Sequence, residues 1–440
     1  MKNKTTIILA SSCLLSVIGT TAPGQPAAKI LTLDQCIERA LEQSPDLTKA
    51  KATRTMGSAS LQGAAAPLLP HLSASSSYGQ SGPAGMGYDA SGRPVAGQNG
   101  HSDSYRSGIN VSQSVVNLSS WAKLKGSINE YQASSASYNQ SVASLVFQVK
   151  DAYYNLAKLT KALEVAKASV EQSQEQAKQA RAMYQLGSMS RSDMLKIEVR
   201  LTQNKVALLA AQKGLIAGKQ ALRGLVSIGE EFGIESQLAF PDTTRPVMAR
   251  DSLYTMAAKN NPGLRAAREQ SQAAKDNYWA AWLAKLPSLN ASYSYGYSDT
   301  MQFVDKRSWN SHDSWSASLS LSWNIFDGTA SEAAVRQAYA QKRMAEADYA
   351  LAQQGLASQV DQAYIEWQAG REELTLVGDL LQQADEDYRL TSEKHRLGAA
   401  SALDLLTSQV TFNQAQQEVT NALCNYYLAL AKVDQLLGRW

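Results

Sequence analysis

The sequence predicts an α+β membrane protein in which one unit, a strand hairpin joined to long helices, is used twice. Three features of the 440 residues carry that prediction. Motifs recur at fixed spacings of 217 and then 211 residues (45 to 262, 148 to 359). Two glycine-poor stretches are long enough for helices on the order of 100 Å. Four short segments alternate apolar with small polar side chains over the length a membrane strand needs.

The repeat is read from matched positions. Ser44-Pro45-Asp46-Leu47 matches Asn261-Pro262-Gly263-Leu264, and Pro70-His71-Leu72-Ser73-Ala74-Ser75 matches Pro287-Ser288-Leu289-Asn290-Ala291-Ser292, both 217 residues apart. Gln148-Val149 and Ala152-Tyr153 match Gln359-Val360 and Ala363-Tyr364, and Gly187 and Asp193 match Gly398 and Asp404, all 211 apart. Spacings that hold over long blocks and shift only across Gly/Ser-rich loops indicate a duplicated half. A period this long is not that of a solenoid, whose units reach about 50 residues. The organisation is therefore a leader at 1–28, a first structural repeat at 29–226, a linker at 227–250 and a second repeat at 251–440.

Each repeat has the same order. A helix at about 33–66 ends at Pro67 and Pro70, two alternating segments follow, and then helices cover about 119–186 and 191–226. The second repeat gives helices at 251–285, 328–397 and 402–437. Helices this long whose apolar positions are largely alanine require coiled-coil-like packing against neighbours.

The strands decide between a soluble and a membrane protein. In Trp315–Ile325 the odd positions are Trp315, Ala317, Leu319, Leu321, Trp323 and Ile325, and the even ones are Ser316, Ser318, Ser320, Ser322 and Asn324. That is the apolar-out, polar-in pattern of a barrel strand with Trp315 and Trp323 as interface anchors. Leu289, Ala291, Tyr293, Tyr295 and Tyr297 alternate in the same way with Asn290, Ser292, Ser294, Gly296 and Ser298, which makes Tyr293 and Tyr295 further anchors. Ile109, Val111, Gln113 and Val115 form a less regular strand, and Leu72, Ala74, Ser76 and Tyr78 the weakest. A soluble hairpin would need a core to receive these faces, and the alanine-rich helices offer little. Four strands cannot close a barrel, and lipid does not tolerate open edges, so the chain must oligomerise. Three copies give a 12-stranded transmembrane β-barrel with room for a passage, whereas two give a barrel plugged by its own side chains. Gly/Ser/Asp-rich loops at 79–104 and 298–314 suit the barrel's exposed ends.

Composition agrees. The chain is 44% hydrophobic and 18% charged, with a mean hydropathy of −0.30. Lys2 and Lys4, followed by the largely apolar Ile7–Ile18 and the small residues near Ala22 and Ala27–Ala28, read as a secretory signal peptide. Cys13 lacks the upstream leucine of a lipid-attachment site, with Ala10 in that place. Without the leader the formal charge falls from +3 to +1, which gives no electrostatic case for nucleic-acid binding. Cys36 and Cys424 then remain, and read as small helix-packing residues.

The helix-hairpin turns are the sharpest motifs. They read Tyr184-Gln185-Leu186-Gly187-Ser188-Met189-Ser190-Arg191-Ser192-Asp193-Met194-Leu195 and His395-Arg396-Leu397-Gly398-Ala399-Ala400-Ser401-Ala402-Leu403-Asp404-Leu405-Leu406. Gly187 and Gly398 stand where a helix ends in a left-handed residue. Ser190 and Ser401 are N-cap candidates, with Asp193 and Asp404 three residues on, as in a capping box.

These turns, the duplicated unit and the Leu-Pro junctions before the strands resemble the TolC-like outer-membrane efflux family over about 33–437. The resemblance implies a homotrimer in the outer membrane of a Gram-negative bacterium, its barrel standing over a periplasmic α-helical tube. It implies as partners a periplasmic adaptor (membrane fusion) protein, an inner-membrane pump and outer-membrane lipid. It implies that Leu186, Gly187, Ser190, Asp193, Leu397, Gly398, Ser401 and Leu403 form the periplasmic tip that meets the adaptor, and that Asp404 lines the pore constriction. Where members of that family often carry a tyrosine–arginine latch, this chain has His395 and Ala400, which puts the latch in doubt and makes His395 the candidate gate residue.

The sequence carries no enzyme signature. His71, His101, His312 and His395 are scattered without metal-ligand spacing, and no phosphate loop or nucleophile motif is present. The function expected is an export channel of a tripartite efflux or secretion system, with no cofactor. The alternatives are a type I protein-secretion channel and a structural periplasmic coiled-coil or adhesin protein.

Overall fold

A computed structural model describes residues 29–82, 87–88, 91–95, 102–228, 231–235, 240–241, 248–299 and 313–439. The leader at 1–28 lies outside the described residues, as do parts of the loops at 79–104 and 298–314 and of the segment 227–250.

In chain order the first repeat contains β1 (Lys29–Leu31), α1 (Leu33–Gln43), α2 (Pro45–Ala65), a 3-10 turn (Ala66–Leu68), β2 (His71–Ser81), the short β3 (Gly87–Tyr88) and β4 (Pro94–Val95), β5 (Ser102–Val116), α3 (Leu118–Gln185) and α4 (Arg191–Val226). After β6 (Phe232–Ile234), the second repeat supplies α5 (Arg250–Asn260), α6 (Pro262–Leu283), β7 (Ser288–Asp299), β8 (Asp313–Ser322), α7 (Ala330–Arg396) and α8 (Ala402–Leu436).

The leading helix of each repeat, expected to be continuous, is two helices. Ser44 and Asn261 each precede a proline, which pushes them to extended backbone at ψ 123° and 119°. Each then caps the next helix: Ser44 Oγ accepts from the Leu47 amide, and Asn261 Oδ1 from the Leu264 amide at 2.9 Å. The segment 227–250 contains a second surprise. β6 lies within it and pairs in parallel with β1, Leu31 opposite Ile234. The Tyr153 hydroxyl donates to the Glu235 carbonyl at 3.1 Å beside this pair, and burial pushes its pKa up to about 12.

The repeat is visible in the core. Cys36, Ala40, Leu47, Leu145, Val149, Leu222 and Val226 are buried in one cluster. Their counterparts Leu253, Ala257, Leu264, Leu356, Val360, Val433 and Leu437 are buried in another. Cys424 joins the first cluster, and both cysteines are unpaired, buried thiols whose pKa burial pushes up to about 11. The 68-residue α3 extends far from these clusters, on the order of 100 Å end to end. Toward its far end, packing is by small and polar residues. Ala177 and Ala180 are buried, and Asn204 of α4 donates to the Ser169 carbonyl at 3.2 Å and to Ser173 Oγ of α3.

At the other end, four strands form one antiparallel sheet in the order β2-β5-β7-β8. Its register sorts the side chains by face. Leu72, Val111, Tyr293 and Ala317 stand in one row, and Ala74, Ile109, Tyr295 and Trp315 in another. On the opposite face the matching rows are Ser73, Asn110, Ser294, Ser316 and Ser75, Gly108, Gly296, Ser314. β2 runs to Ser81 and β5 starts at Ser102, so both strands enter the segment 79–104, expected to be a loop. β8 ends at Ser322, so Trp323 and Ile325 lie just past it. A bulge at Val115 makes Val116, not Val115, the partner of Leu289, while Gln113 stays in register opposite Ala291 on the apolar face.

Candidate functional site

Two places on the molecule combine exposure with specific geometry: the pair of turns at the far helix ends, and the two faces of the sheet.

At the first turn Gly187 takes φ 75°, and the Ser188 amide donates back to the Met183 carbonyl at 2.9 Å, closing the helix end. At the second, Gly398 takes φ 76° and the Ala399 amide donates to the Lys394 carbonyl at 2.8 Å. A side chain reinforces each turn differently. Ser188 Oγ donates to the Met183 carbonyl at 2.9 Å, whereas the His395 Nδ1–H donates to the Ala400 carbonyl at 3.0 Å. His395 and Ala400 are thus joined within one turn.

The following helices begin on Ser190 and Ser401. Each hydroxyl accepts from the amide of its aspartate at 3.1 Å and donates to that aspartate's Oδ2, at 2.8 Å for Asp193 and 2.7 Å for Asp404. The second turn adds the bond from the Ser401 amide to Asp404 Oδ2 at 3.0 Å, completing the capping box. The aspartates differ in a further respect. Lys196 reaches Asp193 at 2.9 Å, and 211 residues on its place is taken by Thr407. Lys196 and the Ser190 hydroxyl hold the Asp193 carboxyl below the usual carboxylate range. The Ser401 hydroxyl and amide do the same for Asp404, with no cation paired to it among the described residues. Both carboxyls are exposed and charged at neutral pH, but only that of Asp193 is paired.

The structure brings the two turns together. Met183, Met189 and Ile197 from the first hairpin and Leu403 and Leu406 from the second line one apolar crevice. Leu186, Leu397 and Leu403 remain exposed at 82%, 75% and 68%, so the tip presents leucines to its surroundings. The serines and aspartates organise the backbone behind them.

The predicted interface anchors lie on the sheet's apolar face. The rings of Tyr293 and Trp315 stack at 6.4 Å, and the Tyr295 hydroxyl donates to Asp313 at 3.1 Å. Trp323 sits past the other end of β8, and its Nε1–H donates to the Lys285 carbonyl at 3.0 Å. Sequence reasoning missed a further pair at the Trp315 end: Tyr78 and Tyr105, neighbours across β2 and β5 with ring centres 4.9 Å apart. Continuing the alternation backward from Ile109 through Ser107 to Tyr105 would have found it.

Among the described residues no group of acidic, histidine or cysteine side chains has the makings of a metal site, and no helix is long and apolar enough to cross a membrane.

Comparison with known proteins gives this arrangement its context. The model of the family described as outer membrane efflux protein matches residues 36–227 and 253–439, one block in each repeat. The outer membrane protein TolC of Vibrio cholerae is 22% identical over 412 residues, covering 92% of this chain and 90% of the relative. The fold matches solved structures of CusC (TM-score 0.78, 17% identity, 95% of this chain and 96% of that one) and of the Campylobacter jejuni CmeC outer membrane channel (TM-score 0.78, 17% identity, 92% and 85%). With both repeats matched and the sheet and helical tip in place, the chain belongs to the outer membrane efflux protein family, whose members are outer-membrane export channels with a large periplasmic portion.

Proposed function

We propose that the chain works as a homotrimer whose three four-stranded sheets close a 12-stranded barrel above a tube of helices, giving pump-delivered substrates a continuous passage out of the cell. The observation that carries this reading is the two-faced sheet with free edges at β2 and β8. In lipid an open edge leaves backbone amides and carbonyls without partners at several kcal/mol each, so β8 of one copy must pair with β2 of the next. The Ser/Asn/Gly face then lines water and the Leu/Tyr/Trp face meets lipid, with Tyr293, Tyr295, Trp315 and Trp323 as anchors. Mass photometry of the detergent-purified protein, with chemical crosslinking, is expected to give trimers. A monomer in both measurements overturns the barrel.

At the far end the exposed Leu186, Leu397 and Leu403 form the apolar contact for a periplasmic adaptor, on turns shaped by Gly187, Gly398, Ser190, Ser401 and Asp193. Asp404 forms the constriction. Threefold symmetry brings its unpaired charge to the axis, whereas Lys196 compensates that of Asp193. His395 holds the second turn through Ala400 and acts as the gate residue. Transport energy comes from an inner-membrane pump.

A further inference from the structure

Four of the chain's eight tryptophans lie at one level where the helices meet the sheet. Ser119 Oγ of α3 donates to the Ala280 carbonyl of α6 at 2.8 Å, which sets the start of α3 beside the last turn of α6. Trp279 and Trp282 flank Ala280, and Trp121 follows Ser119 by two residues. Trp323 joins from the sheet side by donating to Lys285, one turn beyond Trp282. All four are exposed, Trp279 and Trp282 at 47% and 44%, and these two rings touch edge to face at 6.2 Å. Leu286 continues the exposed line toward the sheet.

An exposed tryptophan in one protomer could simply await a neighbouring copy, but α6 is flanked on both sides within its own chain. Asp276 takes Lys125 of α3 at 3.0 Å on one side. Tyr278 packs against Tyr339 of α7 at 5.9 Å, and Lys285 pairs with Glu332 of α7 at 2.8 Å on the other. The remaining faces of α6 point into the tube or out of it. Trp323 lies just past β8, and its indole N–H donates to the Lys285 carbonyl just past α6, which sets the last turn of α6 beside the sheet end that carries Leu321 and Leu289. Nor does the duplicated fold require them. The positions 217 residues earlier, in α2, are Gln62 and Ala65.

We infer that Trp279 and Trp282, with Trp323, form a helix-borne collar that sits in the headgroup zone of the inner phospholipid leaflet. The bilayer boundary then runs through the top turns of the helices rather than at the ends of the strands. An indole suits that zone because its ring partitions among the upper acyl carbons while its N–H keeps a polar partner. The inference rests on the sheet's apolar face meeting lipid.

The test is fluorescence of the full-length protein in phosphatidylcholine vesicles whose acyl chains carry bromine near the headgroup or near the bilayer centre. Trp279→Phe/Trp282→Phe is expected to remove a component that shallow bromines quench more strongly than deep ones. If the lost emission is instead unquenched by either lipid, the collar faces water or protein and the proposal falls. Trp315→Phe separates the two levels of the argument: when it too removes only unquenched emission, the strand assignment itself has failed. Should the double variant not assemble, a nitroxide on Trp282→Cys gives the same decision. Collision with oxygen exceeding that with a nickel chelate supports the collar, and the reverse overturns it.

Discussion

Asp193 and Asp404 hold equivalent places in the two repeats, and both cap a helix through the serine three residues before. Loss of a cap typically costs about 0.5–2 kcal/mol, and asparagine keeps part of the bonding. If capping were the whole role, Asp193→Asn and Asp404→Asn would do similar, mild damage. The unpaired Asp404 at the proposed constriction predicts a difference instead. Asp404→Asn should lower cation selectivity, read as a shifted reversal potential across a salt gradient in planar bilayers, while Asp193→Asn leaves it nearly unchanged. Identical potentials for wild type and Asp404→Asn would leave only the cap. The pH dependence has a definite sign. The folded pKa of Asp404 lies below the ordinary carboxylate value, so its contribution is present above that value and is lost as pH falls through the lowered one. Three such carboxylates at one axis raise one another's pKa against the cap, so selectivity owed to Asp404 should be full at neutral pH and fade as the solution is made acidic.

At the scale of elements, the sheet register makes a sharper prediction than the composition of any one strand. Leu321 stands opposite Leu289 on the apolar face, and its neighbour Ser320 stands opposite Asn290 on the polar one. Leu321→Asp should block membrane insertion. A lipid-facing charge at the midplane costs roughly 2–4 kcal/mol for a basic residue and somewhat less for an acidic one. Ser320→Asp should insert normally, as judged by heat-modifiable mobility in outer-membrane fractions. Equal behaviour would undo the face assignment. The strands and the helices Arg191–Val226 and Ala402–Leu436 were legible because period and caps agreed over many residues. What escaped was short or doubly used. Ser44 and Asn261 end one helix and start the next, so a continuous apolar pattern hides the break. β1 and β6 have three residues each, too few for any period to register, and their pairing joins segments about two hundred residues apart. Trp279 and Trp282 escaped because they lie on a helix, and their nearness to the sheet depends on a bond from Trp323, some forty residues on, to Lys285.

For the whole molecule the duplication predicts equal consequences at paired core positions. Leu145 and Leu356 are 211 residues apart, and each is 5% exposed in the cluster of its own repeat. Leu145→Ala and Leu356→Ala should each destabilise by about 2–5 kcal/mol, read as similar falls in the thermal unfolding midpoint. A marked inequality would mean that the two cores no longer share one role. The sheet's polar face has a different kind of consequence. Ser292 and Ser318, and Ser294 and Ser316, bond hydroxyl to hydroxyl at 2.7 Å across β7 and β8. In each pair one proton is given to the neighbour and one stays free, so the pair offers a passing molecule a single neutral donor and no charge. On the proposed barrel such a lining has little grip. Solutes of unlike shape and chemistry would slide along it without lingering, since conduction needs binding weak enough to let go. Choice of cargo is then left to the pump and the narrow end, and the outer half of the conduit behaves as a smooth bore.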